Sequence, residues 1–248
     1  MKILVIGDSC HDVFVYGKCD RICPEAPVPV FTPKETKTNG GMARNVYNNI
    51  KSIMNREDVE VTLVTNPNLI TKTRYVDYKT NQMLLRIDDD DQAESIGVDL
   101  FNLKEYDAAV ISDYNKGFLT TEKIFELTSR FVGPVFIDSK KTNLPADAYI
   151  KINELEHERM AYCNYENLII TRGGEGAEYK GDLYPAEKVN VFDVVGAGDT
   201  FLAALTYGYL KYGRIEEAIP LANKAAAVAV SHRGTYVLTE EDINEILY

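Results

Sequence analysis

Tryptophan is absent from the 248 residues, histidine occurs three times and cysteine four times. The histidines, His11, His157 and His232, are scattered along the chain, so none is given a catalytic or metal-binding role. Cys10, Cys19, Cys23 and Cys163 form no Cys-x-x-Cys pair, and no histidine pair follows the Cys19-x-x-x-Cys23 spacing. That count and spacing exclude a disulfide scaffold and point to isolated reduced thiols. Positive charge is also scarce: 27 Lys and Arg stand against 38 Asp and Glu, a net charge of −11. Nucleic acid and anionic membrane are thereby excluded as main partners, since both need clustered positive charge. A phosphate-bearing small molecule is not excluded, because a few local basic groups override the net field. Apolar runs are short; residues 225–230 make only six, far below a bilayer span. The apolar stretch at residues 3–6 is too short for a signal peptide, so a cytoplasmic protein is expected. Two nucleotide-binding loops are missing as well. Gly7-Asp8-Ser9-Cys10 stands where a dehydrogenase needs Gly-x-Gly-x-x-Gly, and there is no Walker A sequence.

What is present reads as an α/β chain. Residues 2–6 are an apolar run ending in a polar turn, the mark of a buried strand. Residues 59–65, 108–112, 135–137, 149–152 and 168–171 read as further strands, and helical stretches separate several of them. Such alternation implies a parallel sheet with crossover helices. Helices are expected over 42–54, 198–212 and 216–231. A second texture comes from two segments, 11–37 and 71–90. The first holds β-prone stretches at 13–16 and 28–31, the latter made edge-like by Pro24, Pro27, Pro29 and Pro33. The second reads as a hairpin, 71–78 against 82–87. The expected organisation is therefore a core of residues 1–10, 38–70 and 91–248, with a small β lid formed by 11–37 and 71–90. The acidic run 88–91 reads as a solvated turn, since it lacks the glycine and the distant acid of a calcium loop.

The strongest chemical signal is Asp193-Val194-Val195-Gly196-Ala197-Gly198-Asp199, which opens the helix at 198–212. Two glycines allow a tight turn and leave successive amides free at a helix start, where the helix dipole favours an anion. Asp199 in that first turn suits one task above others: accepting a proton from a hydroxyl that attacks the bound anion.

This late heptapeptide, paired with the early Gly40-Gly41 helix opening, resembles the ribokinase-like (PfkB) family of carbohydrate kinases. Within the family the likeness is closest to the D-glycero-β-D-manno-heptose 7-phosphate kinases. It rests on Arg21-Ile22-Cys23-Pro24-Glu25-Ala26-Pro27-Val28-Pro29-Val30, on Thr71-Lys72-Thr73-Arg74, on residues 81–88 and 112–117, and on Gly234-Thr235. The resemblance implies a three-layer α/β/α core with a mostly parallel sheet and a β-sheet lid. It assigns Asp199 as catalytic base and Gly196, Ala197 and Gly198 as the anion hole. Asp8, Asp12, Gly40, Gly41, Asn45 and Arg44 fall at its sugar-binding positions. Lys140, Asn153, Glu156, Thr171, Gly173, Gly176 and Asn223 fall on its nucleotide side, with Asn153 and Glu156 organising Mg²⁺ through water.

The implied reaction is ATP-dependent phosphorylation of a sugar, with heptose 7-phosphate going to the 1,7-bisphosphate and a homodimer forming through the lid. Arg21, Arg44, Lys72, Arg74 and Arg86 are the candidates for holding the existing phosphate. Three departures stand beside the likeness. The chain between Ile50 and Thr71 is short, apparently by a helix-plus-strand unit. Val195 replaces a frequent threonine. Met42 and Arg44 fall where the heptose group has small residues. Another sugar or nucleoside as acceptor, or a binding protein that has lost catalysis, are the competing readings.

Overall fold

A computed structural model of the chain describes residues 1–89, 91–95, 97, 102–160 and 165–247. Cys163 and Asp90 lie outside them. Two sheets organise the described residues. The larger has eight strands in the order β12-β11-β10-β9-β8-β7-β1-β4. Its parallel part comprises β1 (Lys2–Gly7), β4 (Glu60–Thr65), β7 (Ala108–Asp113), β8 (Val135–Ser139), β9 (Tyr149–Asn153) and β10 (Leu168–Thr171). An antiparallel ribbon of β11 (Ala177–Tyr179) and β12 (Asp182–Tyr184) extends one edge.

The strand sequences are almost wholly apolar because both faces of the sheet are covered. Alternation within β1 shows this. Ile3 and Val5 face a cluster built with α1 (Ala43–Ile53), α4 (Ala197–Tyr212) and α5 (Ile215–Val230). Leu4 and Ile6 face the opposite cluster, where α2 (Thr121–Arg130) contributes Ile124 and Leu127. Helices thus lie on both sides, and α3 (Glu154–Arg159) and α6 (Glu240–Leu247) complete the set. No helix among the described residues is long and apolar enough to cross a membrane.

The smaller sheet has the order β3-β2-β5-β6, formed by β2 (Ser9–Ile22), β3 (Pro29–Met42), β5 (Ile70–Asp77) and β6 (Met83–Asp89). The proline-bearing strand is an edge, as its missing N–H groups require. This sheet reaches further than the expected limits at 10/11 and 37/38. β2 opens at Ser9, and β3 continues through Gly40 and Gly41, whose partners are His11 and Cys10. The paired ladder holds the two glycines in a strand, so the helix starts only at Ala43 rather than at 42. The turn into it leaves Met42 at φ 60°, ψ −134°, a region that only glycine enters without strain.

The short stretch after residue 50 has a direct structural counterpart. β4 is the outer strand of the large sheet, and only residues 66–69 separate it from β5 in the small one. Chain direction then decides where chemistry collects. β1 leads on to β4 on one side and its other neighbour, β7, leads on to β8 on the opposite side, so the connections diverge at the carboxyl ends of β1 and β7. Ligands of open α/β sheets bind at such a divergence.

Candidate active site

Glycine at 196 is required by backbone conformation: φ is 80°, and this left-handed residue caps α4. The turn delivers Asp199 into the first helical turn, where it is only 2% exposed. Its Oδ1 accepts a hydrogen bond from the Tyr114 hydroxyl at 2.8 Å, and its Oδ2 accepts one from Asn45 Nδ2 at 3.2 Å. Burial pushes the Asp199 carboxyl up to about 7, reinforced by the nearby Asp138 charge. Tyr114, Asn45 and Lys151 pull the other way without cancelling that effect. A carboxylate held near neutrality, with hydrogen-bond donors on both oxygens, is poised to take a proton.

Two adjoining cavities meet at this point, sharing Tyr114, Lys140 and Gly196. The larger, about 550 Å³, is lined by Gly196, Ala197, Gly198, Asn153, Thr171, Gly173, Gly176 and Asn223 among others. An apolar wall of Val189, Val191, Phe201, Ala226 and Val230 faces those polar groups, a surface suited to a flat ring. The nucleotide-side residues read from sequence, Lys140 included, are therefore brought together here, with one exception. Glu156 does not line the cavity. Asn153 and Glu156 cap α3 reciprocally at 2.9 Å, and Lys140 pairs with the same Glu156 carboxylate. Thr171 Oγ1 donates to the Ile152 carbonyl, and Asn223 Nδ2 donates to the Tyr184 carbonyl at 2.8 Å, leaving each one acceptor side open.

The smaller cavity, about 360 Å³, is lined by five cations, Lys72, Arg74, Arg86, Lys116 and Lys140, against two carboxylates, Asp12 and Asp199. Asp12 is 4% exposed; Arg74 donates to its Oδ1 at 2.5 Å and Thr235 Oγ1 to its Oδ2 at 2.9 Å. Of the acidic run, Asp88 and Asp89 end β6 and Asp88 and Asp91 are ion-paired, rather than forming a solvated turn. Asp88 and Asp91 neutralise Lys72 at 3.1 and 2.7 Å, Asp88 also takes a two-point bond from Arg86, and Asp91 pairs with Lys116. The Arg86 guanidinium holds the Asp88 carboxyl down at about 2.

Several residues expected to touch sugar do other work. Asp8, fully buried, accepts from the amides of Tyr114, Lys116 and Phe118 at 2.7, 3.2 and 3.3 Å. It lines neither cavity and instead ties the end of β1 to the loop that carries Tyr114. Gly41 sits so close to Asp12 that a Cβ would lie 2.2 Å from Oδ2. Arg44 folds over Gly40, and neither lines a cavity. Asn45 reaches Asp199 and the Gly196 carbonyl rather than open space. Arg21 lies exposed at the far end of β2. Tyr114, Lys116, Asp138 and Lys151 received no role from sequence. The only signal for Tyr114 was its place within the quoted 112–117 segment, and for Lys151 its place two residues before Asn153.

Cys10, Cys19 and Cys23 are free thiols, and Cys10 lines the smaller cavity. His11 is exposed, and His232 stacks on Tyr236 at 3.8 Å; none of the three histidines lines either cavity.

Residues 146–242 match a family model described as pfkB family carbohydrate kinase. Bifunctional protein HldE of Nitratiruptor sp. is 30% identical over 98% of this chain. That alignment runs over 298 positions, more than the 248 residues here, so the relative carries residues without a counterpart in this chain. The chain spans 64% of that relative's length. Among solved structures, ribokinase from Thermotoga maritima superposes with a TM-score of 0.73 at 19% identity, covering 99% of this chain and 98% of that one. Arabidopsis thaliana ribokinase complexed with ribose and ATP gives 0.67 at 14% identity, covering 99% and 98%. The fold is ribokinase-like, and residues 146–242 are similar to the pfkB carbohydrate kinase family model.

Proposed function

We propose that this chain is an ATP-dependent sugar kinase acting on a sugar that already bears a phosphate. The carrying observation is the smaller cavity: five cations gathered against Asp199 in a chain of net charge −11. Each of the five is paired in this structure with Asp12, Asp88, Asp91 or Glu156. A phosphate dianion would exchange with those carboxylates for the same donors, which a neutral sugar cannot do. D-glycero-β-D-manno-heptose 7-phosphate is the favoured acceptor, phosphorylated at its anomeric hydroxyl to the 1,7-bisphosphate. The likeness of residues 21–30 to the heptose kinases supports that choice, as does the HldE relative.

In the proposed reaction Asp199 takes the proton of the acceptor hydroxyl as its oxygen bonds to the γ-phosphorus. The bridging P–O bond breaks and ADP leaves. Amides of Gly196 and Gly198 would donate to the phosphoryl oxygens, that of Ala197 being engaged with the Val194 carbonyl at 3.3 Å in this structure. Most of the acceleration comes from such positioning and charge stabilisation. Among the described residues no cluster of three or more His, Cys, Asp or Glu side chains could cage a metal. Mg²⁺ would be held chiefly by phosphates and water. Asn153, which lines the cavity, would receive its waters, with Glu156 behind it holding the Asn153 amide and Lys140, and the ion would neutralise phosphate charge. A cytoplasmic setting suits both an ATP-dependent reaction and free thiols.

A panel of sugars and their phosphates, assayed with ATP and Mg²⁺, tests the reading. The phosphorylated sugar should exceed its unphosphorylated form by about 100-fold or more in kcat/KM, the worth of two charge-assisted hydrogen bonds. Equal turnover of neutral sugars would overturn it.

The smaller sheet would serve as a lid that keeps water from the phosphoryl group. Its outer strand exposes Met83, Leu85 and Ile87, a surface suited to a second copy of the lid. Light scattering is expected to give the mass of two chains; the mass of one would remove the dimer.

A further inference from the structure

We propose that Lys151 is a further catalytic residue, its ammonium group binding the transferring phosphoryl group from behind the anion hole; this rests on the kinase reading above. Lys151 is on β9 and only 4% exposed. Its Nζ donates to Asp138 Oδ2 at 2.6 Å, and this is its only hydrogen bond among the described residues. An ammonium has three donors, so two have no protein partner among the described residues. Leaving donors of a buried charge unpaired is costly, and proteins accept that cost where a ligand completes the set.

The free donors face the right place. Lys151 lines the larger cavity together with Gly196, Ala197 and Gly198. A Cβ added to Gly198 would lie 2.7 Å from Lys151 Nζ, so the ammonium group is packed directly against the anion hole. Glycine at 198 is what gives the ammonium that access. Lys140 lines the same cavity but spends its charge on Glu156 and lies over the Tyr114 ring at 5.1 Å. Lys151, likewise paired, with Asp138, is packed directly against the turn whose backbone amides would receive the phosphoryl oxygens. Asp138, 4% exposed, holds it in place.

Removing the ammonium alone would strand a buried Asp138 carboxylate and destabilise the fold. The test therefore compares Lys151→Met/Asp138→Asn with Asp138→Asn, which keeps the ammonium, and with the wild-type chain. Calorimetry measures ADP and β,γ-imido-ATP binding to each, and turnover is followed in parallel. In the double variant, affinity for the ATP analogue is expected to fall about 20-fold or more, with ADP changed less than about threefold and kcat down about 100-fold. Asp138→Asn should keep the preference for the analogue over ADP. Equal losses for both nucleotides, or no loss for either, would overturn the assignment of Lys151 while leaving the kinase reading intact. Failure of the wild-type chain to bind either nucleotide would instead remove the kinase reading, and this inference with it.

Discussion

Asp199→Asn is expected to lower kcat about 10³-fold and, at pH 8, to raise the melting temperature. Both effects have one origin. Burial with Asp138 nearby lifts the Asp199 carboxyl from 3.8 to about 7. The folded chain then binds that proton more tightly than the unfolded chain. The stability contributed by the protonated group is complete below pH 3.8 and is lost as pH rises through about 7. Above that point the charged form costs on the order of 2–4 kcal/mol, which asparagine avoids. A gain of about 5–10 °C at pH 8 follows for a chain of this size, shrinking toward zero near pH 4. A melting-temperature gap that stays the same from pH 4 to pH 8 would show that Asp199 is not a strained base. The wild-type kcat/KM should rise with pH as one group loses its proton near 7. Tyr114→Phe removes a donor that stabilises the carboxylate, so its profile should move to higher pH, with activity at pH 7 reduced about tenfold.

Arg74→Met should unfold the chain more easily by about 3–5 kcal/mol and abolish sugar turnover. Arg74 and Asp12 keep 8% and 6% of their side chains exposed, and the guanidinium also covers the Phe14 ring at 5.1 Å. Losing the arginine leaves a buried carboxylate with only the Thr235 hydroxyl. The drop in melting temperature should be about 10 °C. Arg74→Met/Asp12→Leu replaces the pair by apolar groups and should recover most of that stability without restoring turnover. Thermal melts of both variants and sugar kinetics of the double variant separate the two roles. A double variant as unstable as the single one would show that the charge pair is not what holds β2 to β5.

The contrast between Asp8 and Asp12 shows where sequence reading reached its limit. Both are acids at the end of β1 or just beyond it, and both were expected to contact sugar. Asp12 lines the smaller cavity; Asp8 is consumed by three amides of the 114–118 loop. Nothing local separates them, because the deciding partner of Asp8 arrives more than a hundred residues later. The acidic run at 88–91 shows the same limit. Asp88 and Asp91 are counter-ions to Lys72, Arg86 and Lys116, and composition alone cannot pair Lys72 and Lys116 with acids from other elements.

The core strands were legible because a strand buried on both faces must be apolar along its length, and β1, β7, β8, β9 and β10 obey that rule. β11 and β12 escaped notice: three residues each are too few to show a period. The glycine turn and the acid that follows it were legible for a different reason. Gly196 to Asp199 are contiguous, so one left-handed turn and one helix start place amides and carboxylate together, whatever the rest of the chain does. What surrounds them was settled only by tertiary structure. Tyr114 and Asn45 stand 85 and 154 residues from Asp199, and it is the sheet that brings them within hydrogen-bond distance. Their donors and the shared burial set the proton affinity of that carboxyl, and proton affinity depends on surroundings that no short stretch of sequence contains.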